Sequence, residues 1–153
     1  MIFDYAMPDD YQKIKEMRSH THRMHYENEP EYFKDNEEYF TYDYYKTKID
    51  KNQIWKLVVD RRIIGYTIVN VVQYENHEMF NDQKILLIEE ITIDKDYQRK
   101  GYGEFIITNI EKYAQENEYT SIELNVWAFN KVAIDFYKKS GMETSRIKME
   151  KRL

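Results

Sequence analysis

Two glycines separated by one residue, Gly101 and Gly103 in the stretch QRKGYG, run directly into an apolar helical pattern in a chain with only four glycines among 153 residues. Glycine costs backbone entropy, so a pair at this spacing marks main chain that bends sharply or approaches something closely. A helix starting at Gly103 leaves the N–H groups of its first turn unpaired, and its dipole favours negative charge there. The chemistry on offer is anion binding by backbone amides, with Arg99 and Lys100 adding local positive charge. A second unusual feature lies just upstream. Glu89 and Glu90 stand side by side in the otherwise apolar run KILLIEEITID, where a carboxylate is uncommon unless it faces a cleft. Strand alternation sends neighbours to opposite faces, so at most one of the pair is expected to enter a site unless a bulge reverses the parity.

Several phosphate loops compete for the glycine pair. A Walker A loop ends in Gly-Lys-Ser/Thr, whereas Glu104 and Phe105 follow Gly103. A dinucleotide fingerprint needs a third glycine at position 106, which is Ile106. Taken alone, GYG also fits a tight strand-to-helix turn that holds no ligand. His22 and His25 share a helix face, but no third ligand accompanies them, so no metal is expected. The chain contains no cysteine, which removes thiol nucleophiles, disulfides and thiolate metal sites.

The elements that must position these residues follow from periodicity. MIFDYA reads as a short first strand, and Ile14, Met17, Thr21 and Met24 repeat at helical spacing over about residues 9–25. A second helical stretch is expected between Pro30 and Ile49. QIWKLVVD and RIIGYTIVNVVQY read as strands joined by a hairpin at Asp60–Arg61–Arg62. A polar loop over 75–83 precedes the strand at 84–94. The stripe Ile106, Ile107, Ile110 and Ala114 then marks a helix ending near Asn117. SIELNV alternates as a half-buried strand, Asn130 caps a helix that Gly141 terminates, and RIKMEKRL closes the chain as an edge-like strand. The order predicts an α+β, or mixed α/β, fold with helices on both faces of one sheet. The crossover over 85–127 places the glycine-led helix N-terminus at the carboxyl edge of that sheet.

A length of 153 residues and a mass of 18.9 kDa suit a single domain spanning 1–153. No apolar run approaches bilayer length, and acids occupy MIFDYAMPDD where a secretory signal carries Lys or Arg, so a cytoplasmic protein without membrane partners is expected. A net charge of −5 argues against nucleic-acid binding. Residues 26–45 hold seven acids and one Lys; they read as a solvated helix face or, as the minority alternative, a rim attracting a cationic acceptor.

QRKGYG, from Gln98 to Gly103, resembles the pyrophosphate loop Gln/Arg-x-x-Gly-x-Gly/Ala of the GNAT superfamily of acyl-CoA-dependent N-acyltransferases. A later signature of that family, an Asn followed by a small residue and an aromatic-Tyr pair, is matched by Asn130, Ala133, Phe136 and Tyr137 in NKVAIDFYKKSGM. The resemblance covers residues 54–153 well and the N-terminal third only in its helical layout. It implies a mostly antiparallel mixed sheet, splayed between two parallel strands, 85–94 and 120–127, near a bulge in the first. The pantetheine arm of acetyl-CoA would pair with the backbone of Ile91 and Ile93, like an added strand. Its pyrophosphate would sit on the N–H groups of Arg99, Lys100, Gly101, Tyr102, Gly103 and Glu104. Asn130 would reach the pantetheine, and Lys139 would approach the ribose phosphate or simply be solvated.

The resemblance also implies chemical roles. Tyr137 would be the acid at the departing sulfur, and Glu89, then Glu90, the base acting through water. His25, Tyr26 and Phe33 fall where the family places its acceptor-side helices, and Trp127 would wall the acceptor pocket or belong to the core. The implied activity is acetyl transfer from acetyl-CoA to a primary amine in a direct ternary complex. No cysteine is available to carry the acyl group. The rivals are a non-catalytic acyl-CoA-binding or regulatory module of the same fold and an enzyme of another phosphate ligand. The acceptor stays open between small-molecule and peptide amines, and any assembly is expected to be a homodimer through an edge strand.

Overall fold

The computed structural model describes residues 1–153. The β-branched and aromatic runs pair into one sheet in the order β1 (Ile2–Tyr5), β2 (Ile54–Val59), β3 (Arg62–Tyr74), β4 (Gln83–Ile93) and β5 (Ser121–Leu124). The first three pairings are antiparallel, and β4 and β5 run parallel. Asp60 and Arg61 turn the β2–β3 hairpin with φ of 49° and 63°, the left-handed pair that a type I′ turn requires.

Helices α1 (Tyr11–Asn28) and α2 (Tyr42–Ile49) cover one face, and α3 (Tyr102–Glu116) covers the other, with α4 (Lys131–Lys139) following β5. The α3 stripe of Ile106, Ile107, Ile110 and Ala114 packs on Trp55, Leu57, Val69, Leu86 and Ile88. On the opposite face Ile14, Met17, Phe40 and Tyr45 close over Ile54, Tyr66 and Ile68. No helix is long and apolar enough to cross a membrane.

Three expectations are corrected. The helix expected between Pro30 and Ile49 is confined to Tyr42–Ile49, preceded by a 3₁₀ turn at Glu37–Tyr39. Two caps cut it: Asn36 Oδ1 accepts from the Glu38 N–H at 3.0 Å, and Thr41 Oγ1 accepts from the Tyr44 N–H at 3.2 Å. The closing segment, 143–153, forms no strand and makes no main-chain hydrogen bond; its side chains alone hold it. Finally, β5 ends at Leu124 rather than 126, because its last pairing with β4 is Ile88 opposite Leu124.

That last pairing coincides with a defect in β4. Val69 lies opposite Ile88 and Ile68 opposite Glu90, so Glu89 is the extra residue of a β-bulge. Beyond it, β4 continues to Ile93 with β3 as its sole partner, and a gap opens toward β5.

Candidate active site

The bulge decides where the two carboxylates go. Glu90 Oε1 accepts hydrogen bonds from the Tyr66 hydroxyl and from Thr92 Oγ1 at 2.9 Å, while Glu90 Oε2 lies 3.4 Å from Arg18 Nε. Glu89 Oε1 accepts from the Asn70 amide and from Lys48 Nζ at 3.1 Å. Tyr44 adds a long contact to Glu89 Oε2 at 3.5 Å. Arg18 belongs to α1 and Lys48 to α2, so both carboxylates face the same side of the sheet. The expectation of opposite faces is overturned because the inserted residue cancels one step of alternation.

Arg18 is held tightly. Its Nε also donates to the Tyr39 hydroxyl at 3.0 Å, and its guanidinium lies 4.6 Å from the Phe40 ring centroid, which offsets part of the cost of burial. Its Nη1 is buried without a hydrogen-bond partner. Burial works against its charge, but Glu90 and Tyr39 outweigh that and raise its pKa.

On the far side of the gap, α4 begins with Asn130, whose Oδ1 accepts from the Ala133 N–H at 3.1 Å. That oxygen is therefore a helix cap, and only its amide nitrogen is free for another partner. Phe136 and Tyr137 lean on the α3-side core. Burial first, and then the charge of Glu90, pushes the Tyr137 phenol up to about 12.

The glycine turn is built without internal capping. Asp94 caps a 3₁₀ turn at Lys95–Tyr97, accepting from the Asp96 N–H at 3.2 Å. Arg99 and Gly101 then adopt φ of 58° and 85°. No backbone N–H from Arg99 through Glu104 donates a hydrogen bond; Phe105 is the first, to the Gly101 carbonyl at 3.0 Å. Such a run of free amides at a helix start is an anion cradle.

The two glycines do different work. A Cβ at Gly101 would meet nothing within 4 Å, so its need is the left-handed φ. A Cβ at Gly103 would lie 3.1 and 3.2 Å from Cζ and Cε2 of Phe136, so its need is close approach to α4. Lys100 turns back to the Asp96 carbonyl at 2.8 Å, and Arg99 and Glu104 are exposed, whereas Tyr102 packs on the α3-side core.

The bulge also re-aims the backbone of β4. The Thr120 N–H reaches the Lys84 carbonyl and the Asp94 N–H reaches that of Ile64, so even-numbered residues face β5 before the bulge and β3 after it. Ile91 and Ile93 consequently direct their main-chain groups into the gap. The Ile93 carbonyl accepts from Gln98 Nε2 at 3.0 Å.

At the mouth of the gap His25 meets Phe33 at 5.2 Å and Phe129 at 5.8 Å, and Phe33 meets Trp127 at 5.3 Å between ring centroids. His25 Nδ1 donates to the Thr21 carbonyl at 2.8 Å, leaving Nε2 as the ring nitrogen open to another partner. Tyr26 is half-buried and takes no part in this cluster. The acidic stretch is largely neutralised: Arg152 pairs with Glu29 and Glu31, Arg23 with Glu37, and Lys15 with Glu38. Glu27, Asp35 and Asp43 of the same stretch have no basic partner. No group of three or more His, Cys, Asp or Glu could hold a metal.

Sequence reasoning missed Arg18, Lys48, Tyr66, Asn70, Thr92 and Phe129. Arg18 follows Ile14 by four, inside the apolar stripe of α1, and a charge on a buried face was the available signal. Asn70 and Tyr66 carry no such signal, since only the strand register brings them to Glu89 and Glu90.

A splayed parallel pair flanked by a free amide cradle, with carboxylates and a buried phenol around the gap, defines an acyl-CoA transferase fold. Residues 14–142 match the model of the Acetyltransferase (GNAT) family, and the chain belongs to that family. An uncharacterised N-acetyltransferase of Methanocaldococcus jannaschii is 28% identical over 100 residues, covering 65% of this chain and 43% of that one. L-ornithine N5-acetyltransferase of Arabidopsis thaliana is 30% identical over 73 residues, covering 48% and 32%. The chain spans less than half the length of the curated relatives it matches, from 32% to 49%. Among solved structures, the BH1408 protein of Bacillus halodurans superposes with a TM-score of 0.95 at 24% identity over 100% of both chains. Aminoglycoside N-acetyltransferase AAC(6')-Iy in complex with CoA superposes at 0.72, with 8% identity over 99% of this chain and 98% of that one.

Proposed function

We propose that residues 1–153 form one acyltransferase domain that moves an acetyl group from acetyl-CoA to a primary amine while both are bound. The observation that carries this reading is the run of unpaired amides from Arg99 to Glu104, standing beside a strand whose Ile91 and Ile93 main-chain groups face an open gap. These donors fit a pyrophosphate, and the strand edge fits an amide-bearing arm that pairs like a strand. When bound, acetyl-CoA supplies an activated thioester. Ala133 and Phe136 shape the α4 wall beside that arm, and the Asn130 amide nitrogen is available to it.

The acceptor must lose a proton, since an alkyl ammonium resembles lysine with a pKa of about 10.4. Glu89 is the better base: its side chain is 28% exposed and can meet water, whereas that of Glu90 is 13% exposed. Lys48 and Asn70 orient Glu89. Glu90 serves as a fixed charge beside Tyr137. With its pKa near 12, the Tyr137 hydroxyl stays protonated and donates toward the departing sulfur. Complete proton transfer to a thiolate, whose acid has a pKa of about 8.5, would be uphill by roughly 5 kcal/mol, so Tyr137 stabilises by hydrogen bonding and solvent finishes the protonation. His25 Nε2, Phe33 and Trp127 wall the acceptor side, with Tyr26 nearby on α1. Relatives named for tyramine and ornithine support a small amine as acceptor.

Calorimetry with CoA, ATP and NAD, followed by a thiol-release assay over a panel of small amines and peptide N-termini, tests the reading. CoA alone should bind, and one amine class should turn over. CoA binding with no turnover on any amine would instead make the chain a binding module.

A further inference from the structure

Lys48 is the only buried lysine of the chain, and the only one that touches a carboxylate at the gap. It sits in the last turn of α2, where its carbonyl accepts from the Lys51 N–H at 3.2 Å and the Gln53 N–H at 3.0 Å, so its backbone is fixed. Its Nζ donates to Glu89 Oε1 at 3.1 Å and to Asn70 Oδ1 at 2.7 Å. Asn70 closes the triangle by donating its own amide to Glu89 Oε1. An ammonium has three N–H groups, and these bonds take two of them.

Stability alone does not account for a lysine at this place. A desolvated ion pair adds little over apolar side chains of the same volume, because the cost of stripping water from both charges offsets their attraction. The position of the pair is more telling. Glu89 is the extra residue of the β4 bulge, and the gap toward β5 opens directly beyond it. A primary amine of the chain itself therefore lies within hydrogen-bond reach of the proposed base, which is the relation an acceptor amine must attain. Holding that amine on a fixed helix removes the entropy of bringing it there.

We propose that Lys48 is a self-acetylation site: with acetyl-CoA bound and no acceptor amine present, the chain transfers the acetyl group to its own Lys48 Nζ. This rests on the acetyl-CoA site and on Glu89 as base. The N–C bond forms as the thioester C–S bond breaks. Nζ passes from ammonium to acetamide and sheds two protons, one to the departing sulfur and one through Glu89 to water. The products are acetyl-Lys48, the free thiol of CoA and one proton. Glu89 Oε2, whose one contact is the long one to Tyr44, is the oxygen free to hand that proton on. The modification also removes the cation that pairs with Glu89.

Mass spectrometry of the wild-type chain held with acetyl-CoA alone should show the gain of one acetyl group, mapped to Lys48, at a rate independent of protein concentration. Lys46, with its side chain 55% exposed, and the exposed Lys51 serve as internal references. Burial disfavours unassisted acetylation of Lys48, yet Lys48 should label at least about tenfold faster than either. Glu89→Gln keeps the side-chain shape and should slow labelling of Lys48 by about 10²- to 10⁴-fold while leaving Lys46 and Lys51 unchanged. A chain that binds CoA and acetylates a free amine but never carries acetyl-Lys48 overturns the proposal and leaves the function standing. Labelling of Lys48 no faster than of Lys46 and Lys51, unchanged in Glu89→Gln, or rising with protein concentration also overturns it. Failure to bind CoA overturns both the proposal and the function beneath it.

Discussion

A methyl group at position 103 would test whether the cofactor loop and the acid-bearing helix act as one unit. The Cβ of Gly103→Ala falls 3.1 and 3.2 Å from two ring carbons of Phe136, where relaxed carbon contacts begin near about 3.5 Å. The ring must withdraw by a few tenths of an ångström, and Tyr137 is its immediate neighbour on α4. Overpacking of this kind costs about 1–3 kcal/mol, which is roughly five- to 150-fold in an equilibrium constant. Gly103→Val adds two further methyls and should reach the upper end. Gly101→Ala is the control with the opposite cause: its Cβ meets nothing, but φ of 85° strains an alanine by about 1–2 kcal/mol.

Calorimetric titration with CoA, beside kcat at saturating acetyl-CoA, separates the two. Gly101→Ala should weaken CoA about five- to thirtyfold and leave kcat nearly intact. Gly103→Ala should lower both, because Phe136 carries Tyr137 with it. If both variants bound CoA as the wild type does, the amide cradle would not be the pyrophosphate site. If Gly103→Ala changed affinity alone, the proposed coupling of loop and helix would be wrong.

Tyr137→Phe should reduce kcat by about 10²- to 10⁴-fold with CoA affinity unchanged, and undiminished turnover would remove Tyr137 from the chemistry. Glu89→Gln should abolish the acidic limb of the kcat–pH profile, whereas Glu90→Gln should keep that limb and draw the Tyr137 titration down from about 12; an exchange of these two outcomes would make Glu90 the base. Alkali should destabilise the fold. Burial pushes the Tyr137 phenol up to about 12 in the folded chain against about 10 unfolded, so its contribution is complete below pH 10 and is lost as pH rises toward 12, roughly 3 kcal/mol in all. Burial raises the phenols of Tyr45 and Tyr66 as well, adding to the same trend. Urea midpoints that match at about pH 9 and about pH 11 would contradict it.

The parts legible in the sequence are those governed by local rules. Period-two and period-3.6 patterns located β2, β3, β4 and α3, because each buries one face and the burial is written every second or every third to fourth residue. The glycine turn was readable for a similar reason, since backbone that must adopt positive φ or touch an aromatic ring admits little else. The aromatic stretch after Pro30 misled, as its caps at Asn36 and Thr41 compete with an apolar spacing that looks helical.

The arrangement of the reacting groups was settled elsewhere. A single inserted residue at Glu89, visible only when β3 and β4 are paired, turned both carboxylates to one face and the backbone of Ile91 and Ile93 into the gap. Tertiary packing alone brought Arg18 and Lys48 to those carboxylates from helices far away in the chain. Residue types and their spacing determine which segments bind and which chemistry is available, because those depend on near neighbours. Which carboxylate meets water, and which is locked as a fixed charge, depends on register and on partners distant in sequence, and no local pattern encodes that.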